Sequence, residues 1–157
     1  MDEEIVFFKN PPPEDEEGRL EKEIKALESM VLEAPDCAGH YYNLGTAYEK
    51  IKEIAKALTC YETVLKMDRG NIDAAFALAS IYLDLDKVRL AWKYFYDILK
   101  RDPGHGGALY KGGVCCNILG MRNNALKLWK NYLSLNPDSR WSDEIKFQLR
   151  NIKEANG

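Results

Sequence analysis

Three stretches of this chain lie over one another at a spacing of 34 residues with no insertion. They are AGHYYNLGTAYEKIKEIAKALTCYETVLKMDRGN from Ala38, IDAAFALASIYLDLDKVRLAWKYFYDILKRDPGH from Ile72 and GGALYKGGVCCNILGMRNNALKLWKNYLSLNPDS from Gly106. Ala57, Ala91 and Ala125 share one column, and Tyr61, Phe95 and Trp129 share the column four residues on. Leu65, Leu99 and Leu133 share another. Pro103 and Pro137 stand where the first copy has Arg69, and Tyr48 and Tyr82 stand where the third has Cys116. A fixed short period confines a chain to stacked units, each burying its apolar face on the next.

Every copy reads as a first helix (A), a short turn and a second helix (B). Gly45 and Gly113 have no Cβ and Ala79 has the smallest side chain, so backbones can approach there. The alanine column does the same from helix B. The aromatic column lies one turn along the same face and fills the space between neighbours. Pro103 and Pro137 end helix B, and Gly120 suits the turn from A to B, where Lys52 and Asp86 stand in the other copies.

The pattern resembles the tetratricopeptide repeat family. The residues that carry the resemblance are Tyr41, Leu44, Gly45, Tyr48, Ala57 and Tyr61 in the first copy. In the second they are Leu78, Ala79, Tyr82, Ala91, Phe95 and Pro103, and in the third Leu109, Gly113, Ala125, Trp129 and Pro137. The third copy departs at Gly112, where a leucine is usual, and at Cys116, which thins the core of its first helix. The resemblance covers residues 38–139. It implies an all-α, right-handed superhelical stack of three full repeats, 38–71, 72–105 and 106–139.

The flanks extend the stack. In residues 19–34, Leu20, Ile24, Leu27 and Val31 form one helical stripe, and Pro35 lies 68 residues before Pro103, two repeat lengths. This segment is in phase as a helix B whose partner is missing, a half repeat. Glu23 takes its alanine column, which is tolerable only without a full helix A packed on it. The triple proline upstream forbids such a helix. Residues 140–155 form a capping helix after Pro137, with Ser139 as the expected N-cap and Trp141, Ile145, Leu149 and Ile152 as its apolar stripe. The repeat domain is expected over residues 19–157, with an acidic and apolar extended segment over 1–18.

At 157 residues, 46% hydrophobic and 30% charged, the chain suits one folded domain. No apolar run approaches a transmembrane span, and the acidic start lacks the basic region of a secretory signal, so a cytoplasmic location is expected. The net charge of −3 argues against nucleic acid as a partner. Residues 1–36 hold 12 acids and 4 bases, against 13 acids and 18 bases in the remainder, so an acidic arm precedes a mildly basic body. Cys37, Cys60, Cys115 and Cys116 form no C-x-x-C pair and read as reduced, packed thiols.

No enzyme signature is present. His40 and His105 lie 65 residues apart without metal spacing, and the glycine-rich stretches DPGHGG and KGGV lack the Lys-Ser/Thr ending of a phosphate loop. No cofactor and no metal are expected. The resemblance implies a concave groove lined by the A helices that holds an extended peptide. The columns facing it would be Tyr42, Asn43 and Thr46, then Phe76, Ser80 and Leu83, then Tyr110, Lys111 and Val114. Aromatic rings at Tyr42, Phe76 and Tyr110 could receive prolines or apolar side chains, while Asn43 and Lys111 bond the ligand backbone. Relatives that clamp the acidic tail of heat-shock chaperones use Lys and Asn where this chain has Tyr42 and Thr46, Asn at Ala77, and Lys and Arg at Gly107 and Lys111. With a single basic group, such a clamp is not expected. The expected function is a non-catalytic interaction module or scaffold for an extended, mainly apolar peptide of a protein partner. The alternative is a cytoplasmic chaperone for a secreted or assembly-bound partner, and an enzyme ranks last. Ile5, Val6, Phe7 and Phe8 precede Pro11–Pro13 and would expose a sticky strand former. They are expected to dock on their own stack or in a neighbour's groove, the latter making a homo-oligomer.

Overall fold

The computed structural model describes residues 16–154. They form α1 (Glu16–Glu33), α2 (Ala38–Lys50), α3 (Ile54–Met67), α4 (Ile72–Asp84), α5 (Val88–Arg101), α6 (Gly106–Ile118), α7 (Arg122–Leu135) and α8 (Ser142–Glu154). No strand occurs among the described residues. The A helices begin at residues 38, 72 and 106 and the B helices at 54, 88 and 122, so the 34-residue period is kept at every boundary. The result is a right-handed superhelical stack of three helix-turn-helix repeats, with the half repeat α1 before it and the cap α8 after it.

The turn from A to B is the same in each repeat. Lys52, Asp86 and Gly120 take φ of 64°, 59° and 73°. Their N–H groups donate to Glu49, Leu83 and Asn117, and the next residues' N–H groups donate to Tyr48, Tyr82 and Cys116. This pair of bonds satisfies the last carbonyls of helix A around a left-handed residue. Only Gly120 adopts that conformation without steric cost. Asn71 and His105 cap the next A helices: Asn71 Oδ1 accepts from Ala74 N at 2.9 Å and His105 Nδ1 from Ala108 N at 3.1 Å.

Ala57, Ala91 and Ala125 are wholly buried, and Tyr61, Phe95 and Trp129 fill the space beside them. A Cβ at Gly45 would lie 2.9 Å from the Tyr61 ring, and one at Gly113 would enter the Trp129 ring. The third copy's Gly112 is not a void. A Cβ there would stand 3.2 Å from the Trp92 ring, which reaches in from α5. Trp92 stands in the column of Leu58 and Leu126, and Gly112 in the column of Leu44 and Leu78. Between the second and third repeats, therefore, a large B-helix residue and an absent A-helix side chain replace a leucine pair.

α1 packs on α2 through Ile24 and Leu27, both buried, with Leu20 and Val31 half-buried beside them. Tyr48 donates to Glu28 at 2.6 Å across this junction. Glu23 stays exposed and sits 3.8 Å from Lys50, a solvated pair that contributes little. α1 begins three residues before the expected segment 19–34, while residues 1–15, including Ile5–Phe8, lie outside the described residues.

At the other end α8 buries Ile145 and Ile152 and half-buries Leu149. It starts at Ser142, two residues later than expected, because Ser142 Oγ donates to Asn136 O at 2.8 Å and its N–H to Ser139 O. Trp141 consequently precedes the helix and leaves the apolar stripe assigned to it. Cys60, Cys115 and Cys116 are buried free thiols, and burial pushes Cys115 up to about 11 and Cys116 up to about 12. Both stay protonated near neutral pH and act as packing groups.

Candidate functional site

α4 also packs directly on α6. Like helices approach most closely on the inside of a curve, so this contact puts the A helices on the inner face. Tyr42, Phe76 and Tyr110 stand one repeat apart on these helices, each half-buried. The inner rings lean on B-helix rings: Tyr42 on Tyr61 at 5.6 Å, Phe76 on Phe95 at 5.8 Å and Tyr110 on Tyr132 at 6.1 Å between centroids. Each is therefore braced by a B-helix ring and stays half-exposed.

The surroundings differ along the face. In repeat one, Tyr61 donates to Glu49 at 2.5 Å and lies 3.3 Å from Thr46 Oγ1, which donates to Tyr42 O. Burial, then the bond to Glu49, holds the Tyr61 phenol well above its usual range. Tyr42 is raised by burial and by the charges of Asp73 and Glu49. In repeat two Phe95 has no hydroxyl, and Ser80 Oγ, in the Thr46 column, has no hydrogen-bond partner among the described residues. Phe76 lies 5.1 Å from the His105 ring, beneath Lys111 Nζ at 5.5 Å, and its ring occupies the space a Gly107 Cβ would need. In repeat three Tyr110 is stacked on Trp141 at 4.8 Å, with Arg140 over the indole at 4.4 Å. Burial, then Glu144, raises the Tyr110 phenol.

Asn43 is exposed, and Thr46, Ser80, Leu83, Lys111 and Val114 are half-buried on the same helices. Glu49 and Gly107 also lie on the face, and Trp141 and Asp73, which were not among the residues expected there, complete it. The signal for Trp141 was the period itself: it lies one repeat after Gly107 and covers Tyr110 where Gly107 meets Phe76. The face carries carboxylates, Glu49 and Asp73, at its first end and cations, Lys111 and Arg140, toward its last. No group of three His, Cys, Asp or Glu side chains able to hold a metal occurs among the described residues.

The tetratricopeptide repeat model matches residues 40–71, and the same helix pair recurs twice more in register. Residues 40–71 match that family, and the chain has the fold of tetratricopeptide repeat proteins. Mouse protein O-mannosyl-transferase TMTC3 is 29% identical over 124 residues, which are 77% of this chain and 14% of that protein. Superkiller protein 3 of Schizosaccharomyces pombe is 28% identical over 74 residues, 47% of this chain and 5% of its own length. The repeat protein thus spans a small fraction of the curated relatives it matches. Among solved structures, MamA superposes with a TM-score of 0.71 at 17% identity, covering 88% of this chain and 89% of its own. A tetratricopeptide repeat protein from Parabacteroides merdae reaches 0.80 at 22% identity, over 88% of this chain and 56% of its own. The first repeat domain of Spaghetti (RPAP3), bound to the HSP90 peptide SRMEEVD, gives 0.67 at 24% identity over 75% of this chain and 91% of its own. No described helix is long and apolar enough to cross a membrane.

Proposed function

We propose that this repeat protein is a non-catalytic scaffold whose inner face takes an extended, mainly apolar peptide of a protein partner. The observation that carries the reading is the aromatic column Tyr42, Phe76 and Tyr110. Three half-buried rings, each braced from behind, repeat at one-repeat intervals on a face whose charges sit at its two ends, Glu49 and Asp73 at the first and Lys111 and Arg140 toward the last. Such rings offer apolar area at low entropic cost, and Asn43 and Lys111 supply donors for a peptide backbone. The RPAP3 neighbour, which holds a peptide, supports the use of this fold for the purpose. The acidic peptide of that neighbour is not the expected ligand, because Tyr42, Thr46, Ala77 and Gly107 replace the clamp's polar and basic groups.

Selection from a random peptide display library tests this. The expected consensus holds two apolar or proline positions without a required C-terminal carboxylate. Tyr42→Ala with Tyr110→Ala should weaken the selected peptide at least about tenfold, as truncation of buried interface aromatics does, at unchanged helicity. Enrichment of peptides ending in Glu and Asp would overturn the reading, as would unaltered affinity in the double variant. A chaperone acting on an assembly partner would use the same face.

A further inference from the structure

The outer side of the stack carries a second surface of different chemistry. α5 and α7 together hold seven Lys and Arg against one carboxylate, Asp97. Between them runs a groove of about 210 Å³ lined by Trp92, Tyr96, Leu99, Lys100, Lys127 and Leu128 among others. Tyr96 is 51% exposed and packs on Trp92 at 5.5 Å, with Lys100 Nζ 5.1 Å above its ring. Lys100 is also paired with Asp97 at 2.6 Å, whereas Lys127 and Lys130 make no ion pair among the described residues. An exposed aromatic groove with surplus positive charge suits an acidic segment bearing apolar side chains.

Such a segment stands at the start of this chain. Residues 1–15 contain Asp2, Glu3, Glu4, Glu14 and Asp15 against Lys9, with Ile5–Phe8 between the acids. α1 ends in phase with the B helices, so the chain enters α1 at the edge of the stack where α5 and α7 begin. Ile5–Phe8 precede Glu16 by 8–11 residues, a reach of roughly 26–36 Å at ~3.3 Å per residue. Four successive helix packings separate α1 from α5, and at ~8–10 Å each the straight-line limit is roughly 40 Å. The zigzag between A and B layers shortens it. We propose that residues 2–15 dock in the α5–α7 groove of their own chain, with Ile5–Phe8 against Trp92 and Tyr96 and the flanking acids facing Lys127 and Lys130. The groove is distinct from the inner peptide face, and the proposal does not depend on that face's function.

The three tryptophans report separately, since Trp92 lines this groove, Trp129 is core and Trp141 lies on the inner face. The experiment compares their indole N–H resonances in the full chain and in the full-length Phe7→Ser/Phe8→Ser variant. The Trp92 resonance is expected to shift while the other two stay. A synthetic peptide of residues 1–15, added to the variant, should restore it, with affinity falling as salt rises. Tyr96→Ala and Lys127→Glu, each made in the variant, should weaken the peptide at least tenfold without changing helicity. An unmoved Trp92 overturns the proposal, as does a shift confined to Trp141. A Trp92 shift that grows with chain concentration, with dimer mass in sedimentation, overturns the assignment to the same chain.

Discussion

The exchange of Trp92 and Gly112 for a leucine pair makes a quantitative prediction about how the second and third repeats are joined. A Cβ on Gly112 meets Trp92 Cζ3 at 3.2 Å, Phe95 Cβ at 3.6 Å and Leu128 Cδ1 at 3.7 Å. Ala at this position gains roughly 1 kcal/mol of helix propensity while asking the half-buried indole to yield by a few tenths of an ångström, so Gly112→Ala should be nearly neutral. A leucine cannot be placed without displacing the ring. Gly112→Leu should therefore cost about 1–3 kcal/mol, the usual range for overpacking. Trp92→Leu empties the same space and should cost about 1–3 kcal/mol by loss of buried area and a residual cavity. The double variant Trp92→Leu/Gly112→Leu restores the pairing of columns present as Leu58 and Leu78 at the preceding junction. Its cost should fall below the sum of the singles by at least about 1 kcal/mol. Urea unfolding followed by circular dichroism measures all four proteins. Additivity within ~0.5 kcal/mol would show that the two residues do not share one space.

Other outcomes follow from single contacts. Lys52→Gly, at φ 64°, should stabilise the chain by up to about 1 kcal/mol; a lower melting temperature would contradict the left-handed turn. Gly113→Ala drives a methyl into the Trp129 ring and should cost about 2–4 kcal/mol, with a changed near-ultraviolet spectrum; wild-type stability would refute that contact. The Tyr48 and Tyr61 phenols are held above their ordinary value by burial and by carboxylate partners. The folded state then keeps protons the unfolded chain releases, so stability is complete below pH ~10 and falls as pH rises beyond it. Tyr61→Phe should flatten part of that fall in alkaline denaturation, and an unchanged slope would count against the Glu49 bond.

Much of the architecture was legible because one period carried it. The alanine and aromatic columns and the prolines repeat with no insertion, and every A and B helix begins at the same column. The stripe of Leu20, Ile24, Leu27 and Val31 likewise placed α1 in phase. What stayed hidden depends on neighbours in space. Gly112 read as a thinned core because the ring filling its place comes from the repeat before. Trp141 fitted a helical stripe by spacing, yet the Ser142–Asn136 bond starts α8 after it and leaves the indole free to stack on Tyr110. Lys52 carries no turn signal of its own, and its left-handed backbone follows from the carbonyls it must satisfy. The inner aromatic residues were readable as a column, but the B-helix rings behind them, and the Tyr61–Glu49–Thr46 bonds, required the folded stack.

The central claim is that the inner face, through its aromatic column, receives the partner's peptide. Backbone amide mapping with the display-selected peptide tests it most directly. The account predicts shifts concentrated on α2, α4 and α6 around Tyr42, Asn43, Phe76, Tyr110 and Lys111, with the Trp141 indole moving as well. Shifts concentrated on α3, α5 and α7, with the A helices silent, would contradict it.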